Sequence, residues 1–239
     1  LSCSAMMWKE HAYPIVGVPK TIDNDVPGTD YSPGFDTAVS IATEATDRLH
    51  TTAEAHHRIM VLEVMGRHSG WIATYAGLAG GADIILVPEK PFRISEVCSL
   101  VLKRKELGKT FSIIVVAEDA KPHPDENFLT DDEQSRIYVE ERLGGIGMLV
   151  ARRLEECTKL SSRVTVLGHV QRGGSPTAYD RVLATRLGVH AVELVIRGEF
   201  GRMAALQGNE IVSVPLEEIA NKTKPLNEEI FRIAEMFFG

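Results

Sequence analysis

Apolar positions along this chain follow two alternating rhythms. Short runs that are apolar almost throughout recur at Ile15–Val18, Ile59–Met65, Ile84–Val87, Phe111–Ala117 and Arg163–Leu167. Runs of that length with no polar face read as strands covered on both sides. Between them lie longer stretches with helical spacing. Phe35, Ala38, Val39, Ala42, Ala45 and Leu49 form one such face after Ser32-Pro33, which reads as a cap followed by the first helical proline. Trp71–Leu78 and Ile94–Leu107 form two more, the latter with Val97, Val101 and Leu102 inward and Gly108 as its stop. A helix over Ser135–Thr158, interrupted at the glycines 144, 145 and 147, and a long helix over Tyr179–Ile196 follow. The inward face of the long helix is read as Val182, Leu183, Leu187, Ala191, Leu194 and Val195. His50–Arg58 reads as a polar connector, residues 120–134 as a surface loop, and Ile211–Val214 as a last short strand before two short helical segments.

Strand, loop and helix thus recur without hairpin signals, which predicts βαβ units: an α/β fold with mostly parallel sheets and helices on both faces. In that arrangement ligand chemistry gathers at the carboxyl ends of strands. Polar groups stand at several of the predicted strand ends, and the expectation is that they line one edge of the sheets. The first is Pro19-Lys20-Thr21-Ile22-Asp23-Asn24-Asp25. Were this loop extended, Thr21, Asp23 and Asp25 would face the same way. The second is Met65-Gly66-Arg67, with Arg58 just ahead of its strand. The others are Glu118, then Arg163, His169 and Arg172. Arginines offer phosphate a planar fork of donors, and Gly66, Gly168, Gly173 and Gly174 let a ligand approach the backbone. A carboxylate pair with several arginines suits phosphoryl transfer to a hydroxyl.

Composition narrows the class further. The 239 residues are 44% hydrophobic and 25% charged, ordinary for a globular protein. The net charge of −7 argues against general affinity for nucleic acid or anionic membrane, and no apolar run is long enough to span a bilayer. Three well-separated cysteines, Cys3, Cys98 and Cys157, give neither a disulfide framework nor zinc-ligand spacing, which points to a reducing cytoplasm. The chain opens on Leu1, and Leu1–His11 has no secretory-signal pattern.

Lys20-Thr21-Ile22-Asp23-Asn24-Asp25, Met65-Gly66-Arg67 and Leu167-Gly168-His169-Val170-Gln171-Arg172-Gly173-Gly174 stand in order. Together they resemble the signatures of the 6-phosphofructokinase family, bacterial type. Gly34-Phe35-Asp36-Thr37-Ala38, Gly80-Gly81-Ala82-Asp83, Pro88-Glu89 and Tyr179-Asp180-Arg181 extend the likeness from about Pro14 almost to the C-terminus. The resemblance implies two Rossmann-like three-layer α/β/α domains. Residues 1–34 with 171–220 would be a remnant of the phosphoryl-donor domain, and 35–170 with 221–239 the fructose 6-phosphate domain.

Carried over residue by residue, the resemblance makes Asp23 the base that takes the proton from the sugar 1-hydroxyl. Thr21 and Asp25 would flank it, holding the reacting groups and the metal-bound phosphate. Arg67 would stabilise the transferring phosphoryl group. Met65, Gly66 and Glu118 would contact the sugar. Arg58, Arg163, His169 and Arg172 would surround its 6-phosphate, with Arg58 and Arg163 reaching over from a neighbouring subunit of a dimer or tetramer. The cofactors implied are Mg2+ and a phosphoryl donor, ATP or pyrophosphate. The main metal ligand is expected on an N-terminal segment that this chain lacks by comparison with the family, as is the donor loop. The sequence therefore reads as an N-terminally truncated member.

Lys20 bears on the donor: lysine there is typical of pyrophosphate users but also occurs in a branch with ATP users. That branch shares Gly34–Ala38, His50–Glu54 and Gly144–Gly147. ATP is taken as the donor here, pyrophosphate as the alternative, and a non-catalytic or regulatory subunit as a further one. The family's effector pattern is partial: Asp83 and Lys109 fit it, whereas His50 and Leu107 depart from it.

Overall fold

The computed structural model describes residues 2–11, 13–126 and 145–239, with side chains from residue 6 onward. The chain forms two compact units, Leu1–Ala38 with Gly174–Pro225 and Val39–Gly173 with Leu226–Gly239. Both are α/β, as the sequence pattern implies.

The first unit contains α1 (Ser2–His11), β1 (Val16–Gly17), the start of α2 (Phe35–His56), α6 (Ala178–Arg197), β6 (Arg202–Gln207), β7 (Glu210–Pro215) and α7 (Leu216–Ile219). Its three-stranded sheet runs β1-β6-β7, with β1 parallel to β6 and β6 antiparallel to β7. The two-residue period of β6 builds two small cores. Met203 and Ala205 pack with Val214, Leu216 and Ile219 on one side. Ala204 and Leu206 pack with Leu183, Leu187 and Ala191 of α6 on the other. The β6–β7 hairpin corrects the expectation of a single short strand without hairpins. Its turn signal is the Gly208-Asn209 pair, with Gly208 left-handed at φ 59°.

The inward face of α6 is narrower than its apolar content suggested. Leu183, Leu187 and Leu194 are buried, but Val182 and Val195 turn outward. They join Val189, Val192 and Ile196 in a second, exposed apolar stripe.

The second unit takes in the rest of α2 together with β2 (Ile59–Val64), α3 (Trp71–Ala79), β3 (Ile84–Leu86), α4 (Ile94–Glu106), β4 (Ser112–Ala117), α5 (Ile146–Thr158), β5 (Ser162–Val166) and α8 (Glu228–Glu235). Its four strands run β3-β4-β2-β5, all parallel. Every residue of β2 and β4 is buried, so the central strands are covered on both faces. Helix α2 continues through the polar stretch to His56, longer than its apolar face indicated. Of the expected helix over Ser135–Thr158, the described part is α5, Ile146–Thr158; residues 135–144 of it, and residues 127–134 of the expected loop, lie outside the described residues.

Packing of α4 against α5 brings Cys98 and Cys157 together in a disulfide, 6.4 Å between Cα atoms and 59 residues apart in sequence. This overturns the expectation of no disulfide, because the pairing is created by helix contact and leaves no trace in spacing. No described helix is long and apolar enough to cross a membrane.

Candidate functional site

The candidate residues lie on both units, and each set is built by its own unit. In the first, β1 delivers the chain to a loop closed by its own side chains. Thr21 Oγ1 donates to Asp23 Oδ2 at 3.1 Å, and the Asp23 amide donates back to Thr21 Oγ1 at 3.1 Å. This reciprocal pair is a hydroxyl turn. The loop is therefore bent, so the same-side alignment that an extended loop would give does not apply, and the turn itself brings Thr21 and Asp23 together. Asn24 is left-handed, at φ 53°, and 1% exposed. Its carboxamide accepts from the Ser32 amide at 3.1 Å and donates to the Asp30 carbonyl at 3.2 Å. Ser32 Oγ donates to the Thr21 carbonyl at 2.8 Å. Ser32 thus serves this loop with its side chain instead of capping α2.

Lys224 holds the same loop from outside. Its amide donates to the Asp25 carbonyl at 2.8 Å, and its ammonium donates to the carbonyls of Thr29 (2.9 Å) and Asp30 (2.8 Å). Burial brings the ammonium down to about 8, against the pull of Asp30 and Asp25. Asn24 and Lys224 are supporting residues that sequence reasoning passed over. The signal for Asn24 was present, since asparagine between two aspartates is a ready left-handed turn residue. Lys224 carried no local signal. Lys20 is exposed.

The start of α2 is capped from α6. Asp180 Oδ2 accepts from the Thr37 amide at 2.9 Å and from Thr37 Oγ1. Thr177, the cap of α6, donates to Asp36 at 2.6 Å. Two sequence motifs 143 residues apart, around Asp36-Thr37 and Asp180, thus meet as one hydrogen-bonded joint behind the loop. A carboxylate at the amino end of a helix also meets the positive end of its dipole.

In the second unit the site forms where β2 and β4 end. Glu118 Oε1 accepts from the Arg67 amide at 2.7 Å and the Gly66 amide at 3.4 Å. Gly66 adopts φ 155°, and a Cβ there would run into the Ser69 carbonyl oxygen. Arg67 itself is left-handed at φ 54° and exposed. A non-glycine residue held in that region stores strain that the surrounding hydrogen bonds must offset. Met65 is buried, and its amide donates to Gln171 Oε1 at 2.6 Å.

Gln171 sits on the short 3-10 helix Gly168–Arg172, whose His169 and Arg172 are exposed. Glu63 of β2 is 6% exposed and accepts from the Gly147 amide at 2.8 Å at the start of α5. Burial raises its carboxyl above the ordinary value; the Gly147 and Gly145 amides oppose this, and Glu118 adds to it. A Cβ on Gly147 would press on the Glu63 carboxylate, which accounts for glycine there.

Arg58 and Arg163 are placed elsewhere. Arg58 precedes β2, and Arg163 pairs with Met60 near the beginning of the same ladder. Both stand at the amino edge of the sheet. Gly66 and Arg67 stand at its carboxyl edge, about 20 Å away at a strand rise of roughly 3.3 Å per residue. The expectation of a single edge fails for these two, because a polar residue beside a strand in sequence can precede it as readily as follow it. His57, Arg58, Lys105 and Lys109 line a basic pocket on that amino edge. Asp83 is occupied internally, paired with Arg104 at 2.7 Å and accepting from the Ile113 amide at 2.8 Å. Burial nonetheless holds its carboxyl above the ordinary value.

Comparison with known proteins fits this geometry. The Phosphofructokinase family profile matches residues 2–195. The pyrophosphate--fructose 6-phosphate 1-phosphotransferase of Streptomyces coelicolor is 51% identical over 239 residues, which are all of this chain and 69% of that protein. An ATP-dependent 6-phosphofructokinase of Chloroflexus aurantiacus is 56% identical over 216 residues, 89% of this chain and 58% of that protein. The chain thus spans roughly two thirds of the length of the curated relatives it matches. Among solved structures, a pyrophosphate-dependent phosphofructokinase from Nitrosospira multiformis superposes with a TM-score of 0.77 at 27% identity, over 92% of this chain and 56% of that one. Phosphofructokinase from Saccharomyces cerevisiae gives 0.74 at 34%, over 98% of this chain and 29% of that one. With its strand-end loops, its hydroxyl–carboxylate turn and these matches, the chain belongs to the phosphofructokinase family.

Proposed function

We propose that the protein takes part in transfer of a phosphoryl group to the 1-hydroxyl of fructose 6-phosphate, giving fructose 1,6-bisphosphate. The observation that carries the reading is the Thr21–Asp23 turn, with its 3.1 Å contact, on a strand-end loop pinned by Asn24 and Lys224. Asp23 accepts the hydroxyl proton, the freed oxygen attacks phosphorus, and the bond to the donor breaks. Thr21 holds the Asp23 carboxylate in place. Arg67 steadies the transferring group, and its strained conformation, fixed through Glu118, supports a role that depends on orientation. Met65, Gly66 and Glu118 take the sugar, and His169 and Arg172 take the 6-phosphate. In this reading the first unit is the remnant of the donor domain and the second receives the sugar.

Among the described residues, no group of three His, Cys, Asp or Glu is placed to hold a metal by itself. Mg2+ is ordinarily held through one or two carboxylates together with substrate phosphates, so the carboxylates on this loop fit an ion that arrives with the donor. Asp25 is the carboxylate placed beside the metal-bound donor phosphate. Bound there, the ion would neutralise charge on the donor phosphates.

Arg58 and Arg163 lie too far from the carboxyl edge to serve their own subunit's site. Their position supports an oligomer in which they complete the site of a neighbour. The donor is ATP or pyrophosphate; relatives of both kinds match at similar identity. The test is turnover of fructose 6-phosphate by the protein as its gene encodes it, with each donor in turn and Mg2+ present. Product with at least one donor is expected. Fructose 6-phosphate binding without turnover on either would leave a non-catalytic subunit, and no binding at all would overturn the reading.

A further inference from the structure

Three consecutive amides leave the end of β2, and each is claimed by a side chain from another element. Gly66 and Arg67 donate to Glu118, after β4. Met65 donates to Gln171, on the 3-10 helix after β5. Gln171 is only 1% exposed, yet its flanking positions His169 and Arg172 are exposed. The Met65 amide can only donate, so the carboxamide must present its oxygen there. That leaves the Gln171 Nε2 donor buried with no partner among the described residues. An apolar side chain of similar size would fill the same space without the orphan donor. The fold tolerates that donor in order to keep one acceptor against Met65.

We infer that Gln171 is a positioning residue. Its carboxamide sets the 3-10 helix carrying His169 and Arg172 in register with the Met65–Arg67 loop, so that the sugar and 6-phosphate contacts form one pocket. The hydrogen bond from the Leu167 amide to the Glu63 carbonyl, at 3.1 Å, anchors the start of this connection. Gln171 closes its far end. The inference rests on the proposed fructose 6-phosphate reading and adds a determinant that no motif position assigned.

The experiment compares Gln171→Met and Gln171→Glu with wild type in the protein as its gene encodes it. Glutamate keeps an acceptor at the same reach; methionine keeps the volume alone. Three quantities are read: KM for fructose 6-phosphate, kcat, and the hydrogen-exchange rate of the Met65 amide against that of Leu62 in the core. Expected for Gln171→Met are Met65 exchange at least about 100-fold faster, Leu62 unchanged, and KM raised at least about tenfold with a smaller change in kcat. Gln171→Glu should return KM to within about threefold of wild type. A faster Met65 exchange with unchanged KM would overturn the positioning role while leaving the proposed activity intact. Equal loss in both variants, with Leu62 exchange accelerated too, would reduce Gln171 to a packing residue and overturn the inference. A wild-type protein that neither binds nor turns over fructose 6-phosphate would overturn both readings.

Discussion

The amide of Arg67 donates to Glu118 Oε1 at 2.7 Å while Arg67 itself is held left-handed at φ 54°. The carboxylate after β4 thus fixes the backbone that aims the arginine after β2. Two adjacent parallel strands deliver the pair, so its geometry is set by sheet register, which pairs Val64 with Ala117. Replacing Glu118 by Ala removes the acceptor and should lower kcat/KM for fructose 6-phosphate by about a hundredfold, the cost of misplacing a reacting group by about an ångström. Steady-state kinetics with a melting curve checks this. Glu118 is exposed, so the melting temperature should barely move.

Arg67 offers a sharper separation of stability from activity. Glycine adopts its conformation without strain, so Arg67→Gly should gain up to about 1 kcal/mol in unfolding free energy while abolishing most of the turnover. Denaturant unfolding and a coupled assay on the same preparation measure both. A destabilised Arg67→Gly would show that the arginine side chain serves the fold instead.

Glu63 gives the protein a pH signature. Its carboxyl is raised above the ordinary value in the folded state, chiefly by burial. The folded form therefore binds the proton more tightly than the unfolded form does. The stability contributed by this group is full below the ordinary carboxyl value near 4.5 and is lost as pH rises through the raised value. Unfolding free energies of wild type and Glu63→Gln, measured from pH 4 upward, should diverge in slope over that window, with wild type falling more steeply, since the raised Asp83 carboxyl is common to both.

The Cys98–Cys157 bridge closes a segment of 59 residues between α4 and α5. Loop closure of that length contributes about 2–4 kcal/mol by restricting the unfolded chain. Under oxidising conditions Cys98→Ser should melt lower than wild type, and a reductant should bring wild type down to the level of the variant. Equal melting with and without reductant would show that the bond does not form in solution.

Much of this was readable in the chain because the strand cores are apolar without interruption. Ile59–Val64 and Ser112–Ala117 are buried throughout, and their ends could be placed within a residue or two. The strand-end loops were legible too, since Gly66 after β2 and the Asp23-Asn24-Asp25 run after β1 carry turn chemistry. What was hidden depends on partners distant in sequence. Asp180 capping Thr37, Lys224 reaching Thr29, and Cys98 meeting Cys157 have no local pattern. Gln171 lay inside a recognised stretch, but its role is a single contact to Met65 that only the fold reveals. Arg58 and Arg163 were read at the starts of their strands yet grouped with the carboxyl-end residues, and the parallel register puts them at the opposite edge.

The most direct test of the account is Asp23→Ala, assayed in the protein as its gene encodes it with saturating donor and Mg2+. Removing a positioned general base should lower kcat by about 10²–10⁴-fold while the Kd for fructose 6-phosphate, measured by calorimetry, stays within about threefold of wild type. A variant that turns over as fast as wild type would contradict the account at its centre, since the Thr21–Asp23 turn would then have no part in the chemistry.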